Sequence, residues 1–237
     1  MLVAPDQAAV LVTLEREQAT VLMGRGTASA AVGLAARWAA QTGRAGWMSL
    51  PRPVDVPPAL LDDLGLRPFS TWDWLSCASP PPVVPGESEV ELLEPEDDAA
   101  IRDCLDAANP TTSASPGTGL GTWWGVRAPD AVDGRLLGVL SVVHRPGDPD
   151  ATDRSWHLRG LSVRPESRNA GWGRALTAAV LRSALTAHDG AAPEADWVSL
   201  GMYADNAAAR RVYEGLGFAV DAEFASFGPA GADRPPA

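Results

Sequence analysis

The chain has 237 residues, 46% of them apolar and 21% charged, a balance that suits one large globular domain or two small ones. Its formal net charge is −11 and all 19 basic residues are arginine, so a polyanion is repelled overall and nucleic acid is excluded as the main partner. The absence of lysine also excludes Schiff-base chemistry on this chain.

No apolar run reaches the roughly 18 residues needed to span a bilayer, and the N-terminus lacks signal-peptide order, so no membrane partner and a cytoplasmic location are expected. In that compartment Cys77 and Cys104 stay mostly reduced, although the sequence alone leaves open whether they pair.

In chain order, residues Val10 to Glu15 and Gln18 to Arg25 read as strands. The Ala-rich stretch Ala28 to Gly43 has apolar residues at helical spacing and closes on glycine, and Ala45 to Pro51 is a further strand. These elements outline a small α/β domain over residues 1–80 without a cluster of catalytic residue types. The next stretch, 81–88, is rich in proline and reads as an extended linker.

Glu89 to Pro95 is then a strand, and Glu96 to Ala108 an amphipathic helix with acidic residues in its first turn. A long polar loop, Asn109 to Gly121, leads to strands at Thr122 to Ala128 and Leu136 to Arg145, joined by an Asp/Gly turn that suggests an antiparallel hairpin. Strand Trp156 to Val163 feeds the turn RNAGWG, Arg168 to Gly173, and a helix from Gly173 to Ala187 follows. Trp197 to Ala204 is a strand, Asn206 to Gly217 a helix closed by glycine, and Phe218 to Phe227 a last strand. After residue 228 the Pro/Gly/Ala-rich tail, 229–237, is expected to be disordered.

The turn between strand and helix is the most informative feature. Unpaired N–H groups at a helix N-terminus, with the helix dipole behind them, form an anion site that Gly171 and Gly173 leave open to close approach. Asn169 suits a left-handed position in such a turn. By contrast, the GTGLG of residues 117–121 precedes a strand rather than a helix and is not a nucleotide fingerprint.

The series Val163-x-Pro165, then Arg168-xx-Gly171-x-Gly173, then Asn206-xx-Ala209-xxx-Tyr213-xxx-Gly217-Phe218 resembles the GCN5-related N-acetyltransferase (GNAT) superfamily over roughly Glu89 to Phe227. The resemblance implies an α/β (α+β) fold, a mixed central sheet flanked by helices, for residues 89–228, preceded here by the small α/β domain, for which a degenerate copy without a second cofactor site is one reading. It implies acetyl-CoA as acyl donor, held along the splayed ends of two parallel strands that end at Val163 and near Tyr203. The amides of Arg168, Asn169, Ala170, Gly171, Trp172, Gly173 and Arg174 would hold the pyrophosphate, and the backbone of Leu161, Ser162 and Val163 the pantetheine arm. Two positions depart from the family's habit: Ala170, often basic, and Trp172, often a smaller aliphatic, which either covers the helix start or packs inward.

Tyr213 falls where the family places the acid that protects the departing thiolate, and a phenol with an ordinary pKa of about 10 carries its proton at neutral pH. It also suits a helix anchor on the sheet. Asn206 is either an N-cap or a contact to the cofactor arm. His157 resembles the first of the strand histidines that serve some members as proton relay, with an unperturbed pKa of about 6.5. It shares one strand face with Arg159 unless a bulge intervenes, and a water chain is the alternative base.

The loop Asn109 to Gly121 is expected to shape the acceptor pocket. Trp123 and Trp124 alternate faces, one in the core and the other a candidate for the pocket. His144, His157 and His188 are scattered and no ligand spacing is present, so no metal is expected. No GxSxG occurs, which favours direct transfer over an acyl-enzyme. The expected activity is acetyl transfer to a primary amine of a small-molecule or peptide acceptor. A non-catalytic acyl-CoA binding module is the alternative, and the sequence leaves the acceptor and the oligomeric state open.

Overall fold

The computed structural model describes residues 1–16, 19–128, 134–146, 154–186 and 196–235. Within it the chain forms two compact units, residues 1–74 with 203–205 and 220–237, and residues 75–202 with 206–219.

The first unit holds β1 (Leu2–Val3), β2 (Ala9–Arg16), β3 (Ala19–Gly26), α1 (Ala28–Thr42), β4 (Trp47–Pro51), α2 (Pro58–Leu64), most of β5 (Arg67–Cys77) and, from the end of the chain, β11 (Ala219–Gly228). Its strand order is β1-β2-β3-β4-β11-β5. Helix α1 buries Ala31, Leu34, Ala35 and Trp38, a stripe at spacings of three and four that faces Leu11, Leu22, Met48 and Leu50 of the sheet. Gly43, at φ 92°, ends it in a conformation that costs a glycine little.

The final strand does not stay with the second domain, as its position in sequence suggested. Strand β11 pairs antiparallel with β4, Phe224 opposite Pro51 through Phe227 opposite Met48, and Phe227 is part of the first unit's core. Helix α2 and strand β5 lie in a stretch to which no element is assigned from sequence.

The second unit holds the end of β5, β6 (Val90–Leu93), α3 (Asp98–Ala108), β7 (Thr122–Arg127), β8 (Leu136–Pro146), β9 (Arg154–Val163), α4 (Trp172–Thr186), β10 (Asp196–Tyr203) and α5 (Ala207–Glu214). Its strands run in the order β10-β9-β8-β7-β6, with β9 and β10 parallel and the other neighbours antiparallel. The predicted hairpin is therefore present as β7 and β8, while most of its connecting turn lies outside the described residues, as does His188. On one face α4 and α5 pack Leu176, Leu181 and Tyr213 against Leu140, Leu158, Val198 and Leu200. On the other, α3 packs Ile101, Cys104 and Leu105 against Leu93, Trp123 and Val139. This is the expected mixed sheet flanked by helices.

The Pro-rich stretch is a packed element rather than a free linker. Val84 is 6% exposed within the α4-face core, and Arg182 of α4 donates to the Pro81 carbonyl at 2.9 Å and to Glu87 at 2.6 Å. Proline prevents helix and ladder bonding, yet its fixed φ lets an extended chain dock at little entropic cost. Cys77 and Cys104 are both free and buried.

Candidate functional site

Strands β9 and β10 pair from Arg154 opposite Asp196 to Leu158 opposite Leu200, and then part. The cause is local. Between Arg159, opposite Ser141, and Ser162, opposite Val139, strand β9 carries one residue more than β8, and Gly160 sits there at φ 64°. A bulge of this kind bends its strand. Ser162, buried, closes it by donating from Oγ to the Gly160 carbonyl at 3.0 Å.

The bulge also shifts the parity of the strand. Leu158 and Leu161, three apart, both reach the α4-face core, whereas strict alternation would put them on opposite faces. Beyond Leu158, β9 keeps β8 on one edge and has no ladder partner from β10 on the other among the described residues.

Past Val163 the chain makes a short 3₁₀ turn, Pro165–Ser167, and then the predicted glycine turn. Asn169 takes φ 63° and Gly171 φ 89°, and α4 starts at Trp172. Among the described residues the N–H groups from Asn169 to Gly173 have no backbone acceptor, whereas the Gly171 carbonyl already takes the amides of Arg174 and Ala175 at 3.0 Å. A Cβ placed on Gly171 meets no atom within 4 Å, so the turn has clear space beside this residue. The Arg168 side chain holds the turn in place, donating from Nε to the Val163 carbonyl and from Nη2 to the Ala108 carbonyl, each at 3.1 Å.

Trp172 packs inward: its ring leaves only 2.9 Å to the position a Cβ on Gly86 would take, and Gly86 is at φ 79°. Ala170 brings no charge to the turn. Arg174 reaches the Gly215 carbonyl at 3.5 Å. Asn206 is the N-cap of α5, accepting the Ala209 amide at 3.0 Å.

Tyr213 projects from α5 into the α4-face core, 8% exposed, edge to face with Phe218 at 5.7 Å between centroids. Burial pushes its phenol up to about 12, and no bond from its hydroxyl is present among the described residues. His157 lies on the opposite face of the sheet, half-buried, with Nδ1 3.0 Å from Ser199 Oγ of β10. Ser199 in turn donates to the Trp156 carbonyl at 3.3 Å. The structure thus separates His157 and Tyr213 by the thickness of the sheet, with the parted strands beside them.

The loop from 109 to 121 docks on the bulge. A Cβ on Gly160 would stand 2.6 Å from the Ala114 Cβ, and Arg159 donates to the Ser113 hydroxyl at 3.2 Å and carbonyl at 3.4 Å. Trp123 lies in the α3-face core, as one of the two was expected to, and Trp124, half-buried, packs against the opposite core. Two contributors went unrecognised in the sequence. Gly160 is signalled only as a glycine inside a strand pattern, and Ser199 as one polar residue in an apolar run.

Among the described residues no group of three or more His, Cys, Asp or Glu side chains is placed to hold a metal. The first unit has its own open cavity of about 330 Å³ at the ends of β3 and β4, lined by Arg25, Arg52, Glu223 and Phe224. Arg52 is engaged there with buried Asp73 and with Glu223, so its charge is already neutralised by the protein.

Residues 89–218 match the sequence model of the Acetyltransferase (GNAT) family. No curated protein matches the chain. Among solved structures, a GNAT-family protein from Novosphingobium aromaticivorans is similar with 23% identity and a TM-score of 0.56, covering 92% of this chain and 91% of its own. A GCN5-related N-acetyltransferase from Kribbella flavida has 18% identity and a TM-score of 0.57, over 95% and 88%. A tandem GNAT protein from the clavulanic acid biosynthesis pathway has 15% identity and a TM-score of 0.51, over 93% and 78%. Likeness at these identities establishes the fold.

Proposed function

The chain belongs to the GNAT family of acetyltransferases, and from that premise we propose that it transfers an acetyl group from acetyl-CoA to a primary amine by direct attack. The observation that carries this reading is the row of amides from Asn169 to Gly173 at the start of α4, which have no backbone acceptor among the described residues, with clear space beside Gly171. Such a cradle suits a pyrophosphate, because the donors are fixed and the helix dipole favours the anion. The free edge of β9 from Leu161 to Val163 suits an extended arm that pairs as a strand would. The residues present therefore fit acetyl-CoA, which, when bound, supplies the acyl group as an activated thioester.

Tyr213 is assigned the acid. Its raised pKa of about 12 keeps the proton on Oη throughout the neutral range, where a hydrogen bond to a leaving thiolate is needed. His157 is assigned the base, directly or through water. The Ser199 hydroxyl has one proton, and it points to the Trp156 carbonyl. The lone pairs on Oγ then accept the proton of His157 Nδ1, which leaves Nε2 as the basic nitrogen. Acid and base on opposite faces, with the strand gap between them, suit attack on one side and departure on the other.

Asn206 is assigned to shaping the start of α5 beside the gap, and the loop from 109 to 121 to the acceptor pocket. A single donor site, a small-molecule or peptide amine as acceptor, no metal and a cytoplasmic location complete the reading. The test is release of CoA thiol from acetyl-CoA in the presence of a broad amine panel. Amine-dependent release with N-acetyl product supports the assignment; acetyl-CoA binding with no release on any amine would instead make the domain a sensor.

A further inference from the structure

In the second unit, carboxylates answer most of the described arginines. Arg102 pairs with Asp98, Arg127 with Glu91 and Asp97, Arg135 with Glu166, Arg164 with Asp103, Arg182 with Glu87 and Arg210 with Glu214. Arg211 is exposed in the last turn of α5, where a cation suits the helix dipole. Among the arginines whose side chains are described, three remain whose hydrogen bonds end only on neutral oxygens: Arg159, Arg168 and Arg174.

Arg168 and Arg174 flank the turn assigned to the pyrophosphate, so a ligand's charge answers theirs. Arg159 stands elsewhere. It lies immediately before the Gly160 bulge, on the face that carries His157, and its guanidinium reaches only Ser113 of the loop, at 3.2 and 3.4 Å. Its guanidinium is solvent-accessible at these bonds and has only neutral partners, so it stands open to an anionic ligand in a chain with 30 carboxylates available. It also sits within about 7 Å along the strand from His157, two residues away.

We propose that Arg159 is a specificity residue that binds a carboxylate on the acceptor, so that the substrates are small amines carrying a carboxylate, as amino acids do. The proposal rests on the acetyltransferase assignment and on the acceptor entering over the α3 face. A planar guanidinium fits a carboxylate with two parallel bonds, and Ser113 beside it holds the group in place from the loop. The same cation also disfavours amines whose only charge is the ammonium, because like charges then meet at the entrance. The net negative surface does not decide this, since the acceptor's carboxylate meets a local positive site.

The experiment compares L-amino acids with their decarboxylated amines in matched pairs, for example L-phenylalanine with phenethylamine, in the wild type and in Arg159→Gln and Arg159→Lys. Turnover is followed by N-acetyl product, and binding of the same compounds by calorimetry in the presence of CoA. For the preferred pair, a charge-assisted contact predicts a preference for the amino acid of about tenfold to a hundredfold, carried in KM. The ratio of KM values within each pair should fall to near one in Arg159→Gln, and the preference should return in part in Arg159→Lys. Indifference to the carboxylate in both turnover and binding, or a preference that survives in Arg159→Gln, overturns the proposal. Absence of turnover on every amine counts against the acetyltransferase assignment instead, and the binding comparison still decides the role of Arg159.

Discussion

At the scale of single residues, the assignments separate chemistry from support. Replacing Tyr213 by Phe keeps the ring that packs on Phe218 and removes only the hydroxyl, so kcat is expected to fall about 10²-fold or more while KM for acetyl-CoA changes little. Steady-state kinetics on the folded variant check this, and full turnover sinks the acid role. The same substitution has a thermodynamic readout. Burial raises Tyr213 from 10.0 to about 12 and Cys104 from 9.0 to about 11, so the folded state holds these protons after the unfolded chain has released them. Stability from these groups is thus complete below pH 9 and is lost as pH rises from 9 to 12, each shift being worth about 2 to 3 kcal/mol. Denaturant titrations across this window should show that loss, and Tyr213→Phe should remove its upper part.

Gly160 is the other residue that carries the design. At φ 64°, with 2.6 Å available to a Cβ before Ala114, Gly160→Ala should destabilise the protein by about 1 to 3 kcal/mol and depress turnover together, read by thermal melting and kinetics. Ser199 of β10 is assigned to supporting His157 rather than meeting the reactants. Ser199→Ala should lower kcat and alter its pH profile while acetyl-CoA affinity stays at the wild-type value.

At the scale of elements, strand, turn and helix from 156 to 186 were legible because the signals are local. Asn169 and Gly171 take the left-handed conformations that their residue types favour. The parting of β9 and β10 was not legible from period two, since one extra residue reverses the side-chain parity, and Leu161 shares a face with Leu158 for that reason. Trp172 and the Pro-rich stretch explain one another in the same way: the indole needs Gly86, and neither is near the other in sequence. The stretch is held by Glu87 and Arg182, whose bond keeps the Glu87 carboxyl below its ordinary 4.5. This contribution is present above pH 4.5 and is lost as pH falls through the lowered value. Glu87→Gln should therefore lower stability at pH 7 and flatten the acid limb of the stability curve, as equilibrium denaturation at several pH values measures.

At the scale of the whole molecule, the order of elements in sequence is not their order in space. The first unit is not closed by residues 1–80, because β11 from the end of the chain lies between β4 and β5. Pairing across so long a separation leaves no local trace in composition or periodicity, whereas the helices and hairpins of each unit do. A fragment of residues 1–80 should accordingly show no cooperative thermal transition by circular dichroism, while the full chain does.

The central claim is that the turn from Arg168 to Gly173 holds the pyrophosphate of acetyl-CoA, and Gly171 is the position at which to test it. A Cβ there meets no protein atom within 4 Å, and although φ 89° strains any side chain, Asp is among the residues that bear a left-handed backbone best. Calorimetric titration with acetyl-CoA should give a single site in the wild type and an affinity at least tenfold weaker in Gly171→Asp, measured at a temperature where the variant, destabilised by about 1 kcal/mol of backbone strain, is still fully folded. Equal affinity in the two proteins, or no binding by the wild type, would contradict the account.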